Sequence, residues 1–356
     1  MVKEKLNSRE RVRLALEHKT TDRIPVAMLC GGINPKQEFD AFLKKTAGIG
    51  MDEYIASFLD TKELWFENHN LNKTAGADVW GVRRRPVSYG AGSYDEIIYY
   101  PLAGAATVAE INQYSWPVTE QFSYDLFNAD IAVLNQNKEH CIALSIANIF
   151  ETSWYMRGLE QIFLDMMMAP DMVHAIMKNV TRFYIEHFAR ILSVCKGKID
   201  LVFTADDIGS QDGLLMPLQM WEEFIKPYHV EMNAMIHEYG CKVVYHSDGA
   251  IMAAVPGLMD MGIDVLQALQ FNAKGMDPKV LKESYGKTLC FEGGMCVQKV
   301  LPFGTKEEVI HETQALIDIL GSKGGYLLGP SHYIQDGTPA ENIYAFFETA
   351  RNYYPF

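Results

Sequence analysis

No stretch of the 356 residues approaches the roughly 20 uninterrupted apolar side chains of a membrane-spanning helix, so no membrane partner is expected. No CxxC pair occurs. Cys30, Cys141, Cys195, Cys241, Cys290 and Cys296 are scattered, which argues against a disulfide framework or structural zinc knuckle and fits a reducing compartment. The opening MVKEKLNSRERVRLALEHKTTDR is charged throughout and lacks an apolar core, so no secretory signal is expected and the cytoplasm is the default location. Basic clusters are scarce too. Only Arg83, Arg84 and Arg85 stand together, and a net charge of −13 leaves little cationic surface for a nucleic-acid partner. No GxGxxG follows the first strand-like run, which removes the main support for a two-domain dinucleotide-binding arrangement. No linker or internal repeat divides the chain, so residues 1–356 are read as one domain.

What the sequence does hold is an alternation of short apolar runs with long amphipathic segments, the pattern of repeated βα units around a parallel sheet. Strand-like runs fall at 24–29, 55–59, 141–146, 201–204, 243–246, 264–268, 288–291 and 326–329. A long helix is expected over 217–237, ended by Tyr239 and Gly240, where glycine takes the left-handed cap conformation. Residues 78–117 break the alternation: DVWGVRRRPVSYGAGSYDEIIYYPL reads as two strands around a Gly-rich turn, an antiparallel hairpin inserted into the barrel. The expected class is α/β, a (β/α)8 TIM barrel with a β-hairpin insertion near 78–117.

Several segments carry a family resemblance. They are DRIPVAM after the opening helix, GADVWGVRRRPVSYGAGSYDEIIYYPLAGAATVAEINQYSWP, DDIGSQDGLLMP, YHSDGAI, FEGGMCVQKVLPFGTKEEV, and GGYLLGPSHYIQDGTPAENIYAFFETA. In this order and spacing the chain resembles the uroporphyrinogen decarboxylase superfamily, whose fold is a (β/α)8 barrel. The decarboxylase itself holds a polycarboxylate with an arginine-bearing motif after the first strand, whereas this chain has MLCGGINPK there. Met28 and Cys30 supply none of the bidentate, charge-assisted bonds of a guanidinium. The chain is therefore more similar to the corrinoid-dependent methyltransferase branch, which moves methyl groups between small molecules and a corrinoid. It has no DxHxxG corrinoid-ligating motif, so the resemblance implies a separate corrinoid protein as partner.

In that branch zinc is held by an HxC pair at one strand end and a cysteine after the last strand. Here the pair reads HSD, His246 and Asp248, and GPSH puts His332 at the final position. Residues two apart on a strand project to the same side, so His246 and Asp248 would both face the mouth if the strand runs that far. Glu292 and His332 would reach the same C-terminal face from neighbouring strands. The metal set is thus His246, Asp248, Glu292 and His332, with zinc the implied ion and Cys296 a rival ligand. A lone histidine at a strand end is more commonly a hydrogen-bonded structural group, and HxD pairs arise by accident.

Asp206 and Asp207 follow another strand as candidate catalytic groups, one facing the mouth and the other capping a helix. Tyr155 is a third catalytic candidate, and Met28, Asn148, Glu151 and Trp154 are candidate substrate contacts, against the competing reading that aromatics near any barrel mouth are core. Met166, Met167 and Met168 suit an adaptable partner surface, against the commoner role of filling an irregular core. With imidazole and carboxylate ligands the metal would polarise an ether oxygen, which points to methyl transfer from a methoxylated small molecule, aromatic or not, to the partner's cobalt. A decarboxylase-like lyase, the reverse transfer from methylcorrinoid to an acceptor, and a non-catalytic corrinoid-protein binder are the alternatives, and a homodimer stays open.

Overall fold

The computed structural model describes residues 5–71, 76–88 and 93–356. Its centre is a curled, TIM-like parallel sheet of seven strands: β1 (Thr61–Trp65), β4 (Cys141–Asn148), β5 (Leu201–Ala205), β6 (Lys242–His246), β7 (Val265–Gln267), β8 (Cys290–Met295) and β9 (Tyr326–Pro330), neighbours in that order. β2 (Arg83–Ser88) and β3 (Ser93–Tyr99) form a separate antiparallel pair, and the turn between them, 89–92, lies outside the described residues. Among the described residues no helix is long and apolar enough to cross a membrane.

Six strand expectations match observed strands to within a few residues, and two do not. Residues 51–56 form a helix, Met51–Ala56, because Asp52 and Glu53 fall in its first turn, where the helix dipole favours negative charge, and Tyr54 packs into the core. The strand follows at Thr61–Trp65. It reads as polar because Lys62 and Glu63 sit in its centre, and Glu63 points to the sheet's concave side. Residues 24–29 form no strand but a single parallel bridge, Val26 to Leu328. Ala27 N–H donates to Leu328 O (2.9 Å), Leu328 N–H to Pro25 O (2.8 Å) and Asp60 N–H to Val26 O (2.9 Å), so this segment still ties the two sheet edges together. Pro25 has no N–H to give a longer ladder. The expected helix over 217–237 is two, Leu218–Phe224 and Lys226–Glu238: Pro227 cannot donate to the preceding turn, and the chain breaks at Ile225. Tyr239 caps the second and Gly240 follows at φ +74°.

Side chains on the concave face form a small apolar cluster of their own, including Ala143, Leu201, Phe203, Val244, Val265 and Leu327, to which helix Ser8–Leu16 adds Val12. The larger core lies between the strands' outer faces and the helices. The first helix begins with a capping box, Asn7 with Glu10, and its arginines reach the aspartates that precede the strands. Arg9 and Arg13 pair with Asp200, just before β5. Arg11 and Arg23 both pair with Asp60, just before β1, at 2.7 and 2.6 Å, and all three side chains are buried. The helix therefore plugs the N-terminal end of the sheet and leaves the C-terminal end as the open mouth.

Asp60 also accepts from Ser8 Oγ (2.7 Å) and Val26 N–H (2.9 Å). Asp60→Asn removes the one charge shared by two buried guanidinium groups, and a loss of about 3–5 kcal/mol in unfolding free energy is expected by denaturant titration. A surface substitution such as Glu307→Gln serves as the reference and changes little.

Candidate active site at the mouth

The concave face turns polar toward the mouth: Glu63, Ser145 and Glu292 lie within their strands, and His246 and Gln267 end theirs. His246 is the last residue of β6 and is 4 % exposed. Its Nδ1 hydrogen-bonds Gln267 Oε1. Gln267 Nε2 donates to Leu29 O at 3.0 Å, so its amide oxygen must face the imidazole, and Nδ1 of His246 must carry the proton. That leaves His246 Nε2 as the mouth-facing nitrogen, with its lone pair available in the neutral ring.

Two sets of donors include His246, and Asp207 Oδ1 lies 3.4 Å from its Nε2. Ligand atoms of Cys30, His246 and His332 lie within 4.8 Å of one another, and so do those of Asp207, His246 and Asp248. Each set comes from a pair of loops fastened together by backbone contact. In the first, Ile334 N–H donates to Gly32 O (2.8 Å) and Asn34 N–H to Ile334 O (2.9 Å), while a Cβ on Gly32 would sit 2.6 Å from the Tyr333 ring. In the second, Ala250 N–H donates to Ser210 O (2.7 Å) and Asp248 N–H to Asp207 Oδ1 (2.8 Å). A Cβ on Gly209 would lie 2.5 Å from Asp248 O, so only glycine lets these loops approach.

The charges respond to this crowding. Burial disfavours the His246 cation, but the hydrogen bond and charge of Asp207, then Asp248, outweigh it and push the ring up to about 9. Burial likewise opposes the Asp207 anion, yet His246 holds it below the usual carboxylate range, while burial raises Asp248 and lowers His332. Burial and surrounding carboxylates push the Cys30 thiol up. An imidazole with a fixed tautomer, a second imidazole, a thiol and two carboxylates fit a divalent ion of intermediate softness such as zinc, and the cation would take the place of the His246 proton among the acids. Sequence reasoning missed Cys30 as a donor, because nothing near residue 30 shows that its loop meets residue 332.

Asp206 and Asp207 separate by role in the geometry. Asp206 is fully buried and points away from the donors: Phe150 and Glu151 N–H donate to it at 2.9 and 2.8 Å, and His229 Nε2 lies 2.5 Å away. It thus serves the start of helix Ile149–Arg157, which carries the next group of side chains. In that group Glu151 accepts from Asn148 Nδ2 and from Tyr155 O–H (2.9 Å). Burial, then the charges of Asp207 and Asp206, push its carboxyl up to about 7. Trp154 and Tyr155 make an edge-to-face pair 4.3 Å apart, and the Arg84 guanidinium lies 4.9 Å over the Tyr155 ring while paired with Asp78.

Glu292 is in neither donor set. It is completely buried, and burial pushes its carboxyl well above the usual range, against a smaller opposing effect of the Leu29 backbone and the Gln267 amide. Cys296 is in neither set either. Met28 lines a cleft on the flank of the sheet. Glu63, which the sequence did not single out, accepts from Ser145 Oγ at 2.8 Å and from Cys30 N–H at 3.4 Å.

A model of the family described as uroporphyrinogen decarboxylase (URO-D) matches residues 107–353. Among solved structures, a methyltransferase from Methanosarcina mazei superposes with a TM-score of 0.65 at 15% identity, covering 98% of this chain and 99% of that one. The YdhT protein from Bacillus subtilis follows at 0.44 and 11%, covering 93% and 90%. D-psicose 3-epimerase with D-tagatose from Clostridium cellulolyticum H10 gives 0.40 and 11%, covering 94% and 93%. At such identities the first is a likeness of fold, and the other two carry no argument. No curated protein matches the chain. The family match runs through the strands and loops that bear Glu151, Asp207, His246, Asp248 and His332, and the chain belongs to the uroporphyrinogen decarboxylase family.

Proposed function

We propose that this chain is a corrinoid-dependent methyltransferase component, taking a methyl group from a methoxylated small molecule with an aromatic body and giving it to the cobalt of a separate corrinoid protein. The observation that carries the reading is His246, locked by Gln267 with Nε2 toward the mouth, shared by two donor sets and flanked by a carboxyl poised near neutrality. The seven strands and the segment at 24–29 are read as a (β/α)8 barrel, with β2 and β3 an insertion that brings Arg84 over Tyr155. The methyltransferase from Methanosarcina mazei, alike in fold, supports this reading.

Zinc held by His246 with Cys30 and His332, or with Asp207 and Asp248, would supply Lewis acidity toward the substrate's heteroatom. The chain's own residues do the rest. Trp154 and Tyr155 offer a wall to a planar ring, and Asn148 and Tyr155 hold Glu151 in place by hydrogen bonds. When reduced cobalt attacks the methyl carbon, the C–O bond breaks with its electron pair on oxygen, and Glu151 gives that oxygen its proton. Asp206 acts through position, fixing the helix that presents Glu151.

One observation favours a second reading. Cys30 adds a thiolate donor where only imidazole and carboxylate were expected, and a softer site suits transfer in the reverse direction, from methylcorrinoid to a thiol. Mixing the purified chain with a reduced corrinoid protein and methoxylated arenes, while following the cobalt absorption, decides between them. Methylcobalt formation supports the first reading, and demethylation by thiols supports the second. Absence of both, or coproporphyrinogen formed from uroporphyrinogen, rejects methyl transfer.

Elemental analysis is expected to find about one zinc per chain, lost in His246→Ala. Gln267→Leu, which frees the imidazole to rotate, should weaken zinc binding by roughly 10–100-fold without unfolding the protein. An unchanged affinity would mean the relay does not orient the ligand.

If Glu151 is the acid, its protonated form is the active one, so single-turnover methyl transfer should fall as pH rises through about 7. Glu151→Gln should lose that limb and slow the reaction by roughly 100-fold or more. A wild-type profile flat from pH 6 to pH 8 would remove Glu151 from the role, those pH values being about one unit either side of its midpoint.

A further inference from the structure

A cleft of about 730 Å³ opens between helix Met51–Ala56 and the segment 134–140, within the size range of small-molecule sites. One side is apolar and pliable: Met28, Ile33, Met51, Ile55 and Leu134. Thioethers and branched aliphatics accept an aliphatic chain or a ring with little cost in shape. The other side is cationic, lined by Lys36, Lys62 and Lys138. Asp52 and Glu53 line the cleft too, both exposed, so the lining keeps a net positive charge in a chain that carries −13. Among the described residues neither Lys36 nor Lys62 makes an ion pair with them.

His140 supplies the second observation. It lines the cleft, is 3 % exposed, and among the described residues both of its ring nitrogens are buried without a hydrogen-bond partner. Its backbone N–H is satisfied by Asn135 Oδ1 (3.0 Å), so the orphaned groups belong to the side chain alone. Burial, with the charges of Lys138 and Lys62, pushes the imidazole down to about 4, so the ring is neutral and offers one N–H beside two ammonium groups. A buried polar side chain left unmatched in a folded protein calls for a partner, and the one these neighbours favour is an anionic oxygen.

We infer that this cleft is a binding site for a small organic carboxylate, its apolar body against Met28, Met51 and Ile55 and its carboxylate among Lys62, Lys138 and His140. The site is independent of the methyl-transfer reading. It does touch the same backbone as the mouth, because Met28 is followed by Leu29, whose carbonyl orients Gln267, and by Cys30. Occupancy of the cleft is therefore read against the segment that helps shape the metal donors.

Calorimetric titration of the full chain with octanoate, octanamide and acetate tests the assignment. Octanoate should bind saturably and about tenfold or more tighter than octanamide, which lacks the charge, and than acetate, which lacks the apolar body. Lys62→Met should weaken octanoate by about tenfold while leaving octanamide unchanged. Lys36→Met, at an exposed position whose side chain makes no ion pair among the described residues, provides a second variant that should lower octanoate affinity in the same sense even if the first is poorly folded. Equal binding of octanoate and octanamide, no effect of either lysine, or octanoate binding lost in His246→Ala and kept in Lys62→Met would overturn the assignment, the last by placing the ligand at the mouth.

Discussion

The Asp60 carboxylate is the fixed point from which the mouth is built. It neutralises Arg11 and Arg23, takes the Val26 N–H, and the same residue's backbone N–H donates to Val26 O. This double grip sets the height of a segment too short to be a strand. Three residues further on, Leu29 O receives Gln267 Nε2, and Gln267 in turn fixes the His246 ring. Buried ion pairs are weak sources of stability, since desolvation offsets most of the Coulomb gain. Here the cluster's effect is geometric: it decides where the backbone of 25–30 lies, and so which way an imidazole on the far side of the sheet presents its nitrogen.

The electrostatics at the two ends differ in kind. At the N-terminal end, arginines of the first helix answer the aspartates before β1 and β5. At the mouth, Asp207, Asp248 and Glu151 crowd together with no lysine or arginine in hydrogen-bond contact among the described residues, and the His246 ring is pushed up by the first two. That imbalance is costly for folding and useful for a site, because a cation or a proton entering it meets carboxylates whose partners are mostly neutral hydrogen-bond donors.

Much of this was legible from sequence where a residue's environment is local. β4 to β9 announce themselves as apolar runs because strands buried on both faces leave few polar positions. β1 hid behind Lys62 and Glu63, since a strand whose inward residue is an acid loses the alternation by which strands are read. His246, Asp248 and His332 were found through their family pattern, and the structure brings each into a donor set. Cys30 and Gln267 were not, for a physical reason: their significance lies in contacts that span about 300 and 240 residues of chain, and no local period reports those. The pairing of Asp206 and Asp207 was ambiguous for the opposite reason, as two adjacent aspartates look alike until the chain turns one inward and the other out.

The two stitched loop pairs share His246, like jaws on a common pivot. One jaw bears a sulfur and a nitrogen, the other oxygens alone. Because each is locked internally by its own glycine contact, Gly32 beneath Tyr333 and Gly209 beneath residues 248–250, substitutions can accumulate in one without disturbing the other's backbone. A lineage sharing this architecture could thus tune the electron richness of its centre by editing a single jaw, exchanging one substrate heteroatom for another while the pivot and the barrel beneath it stay as they are.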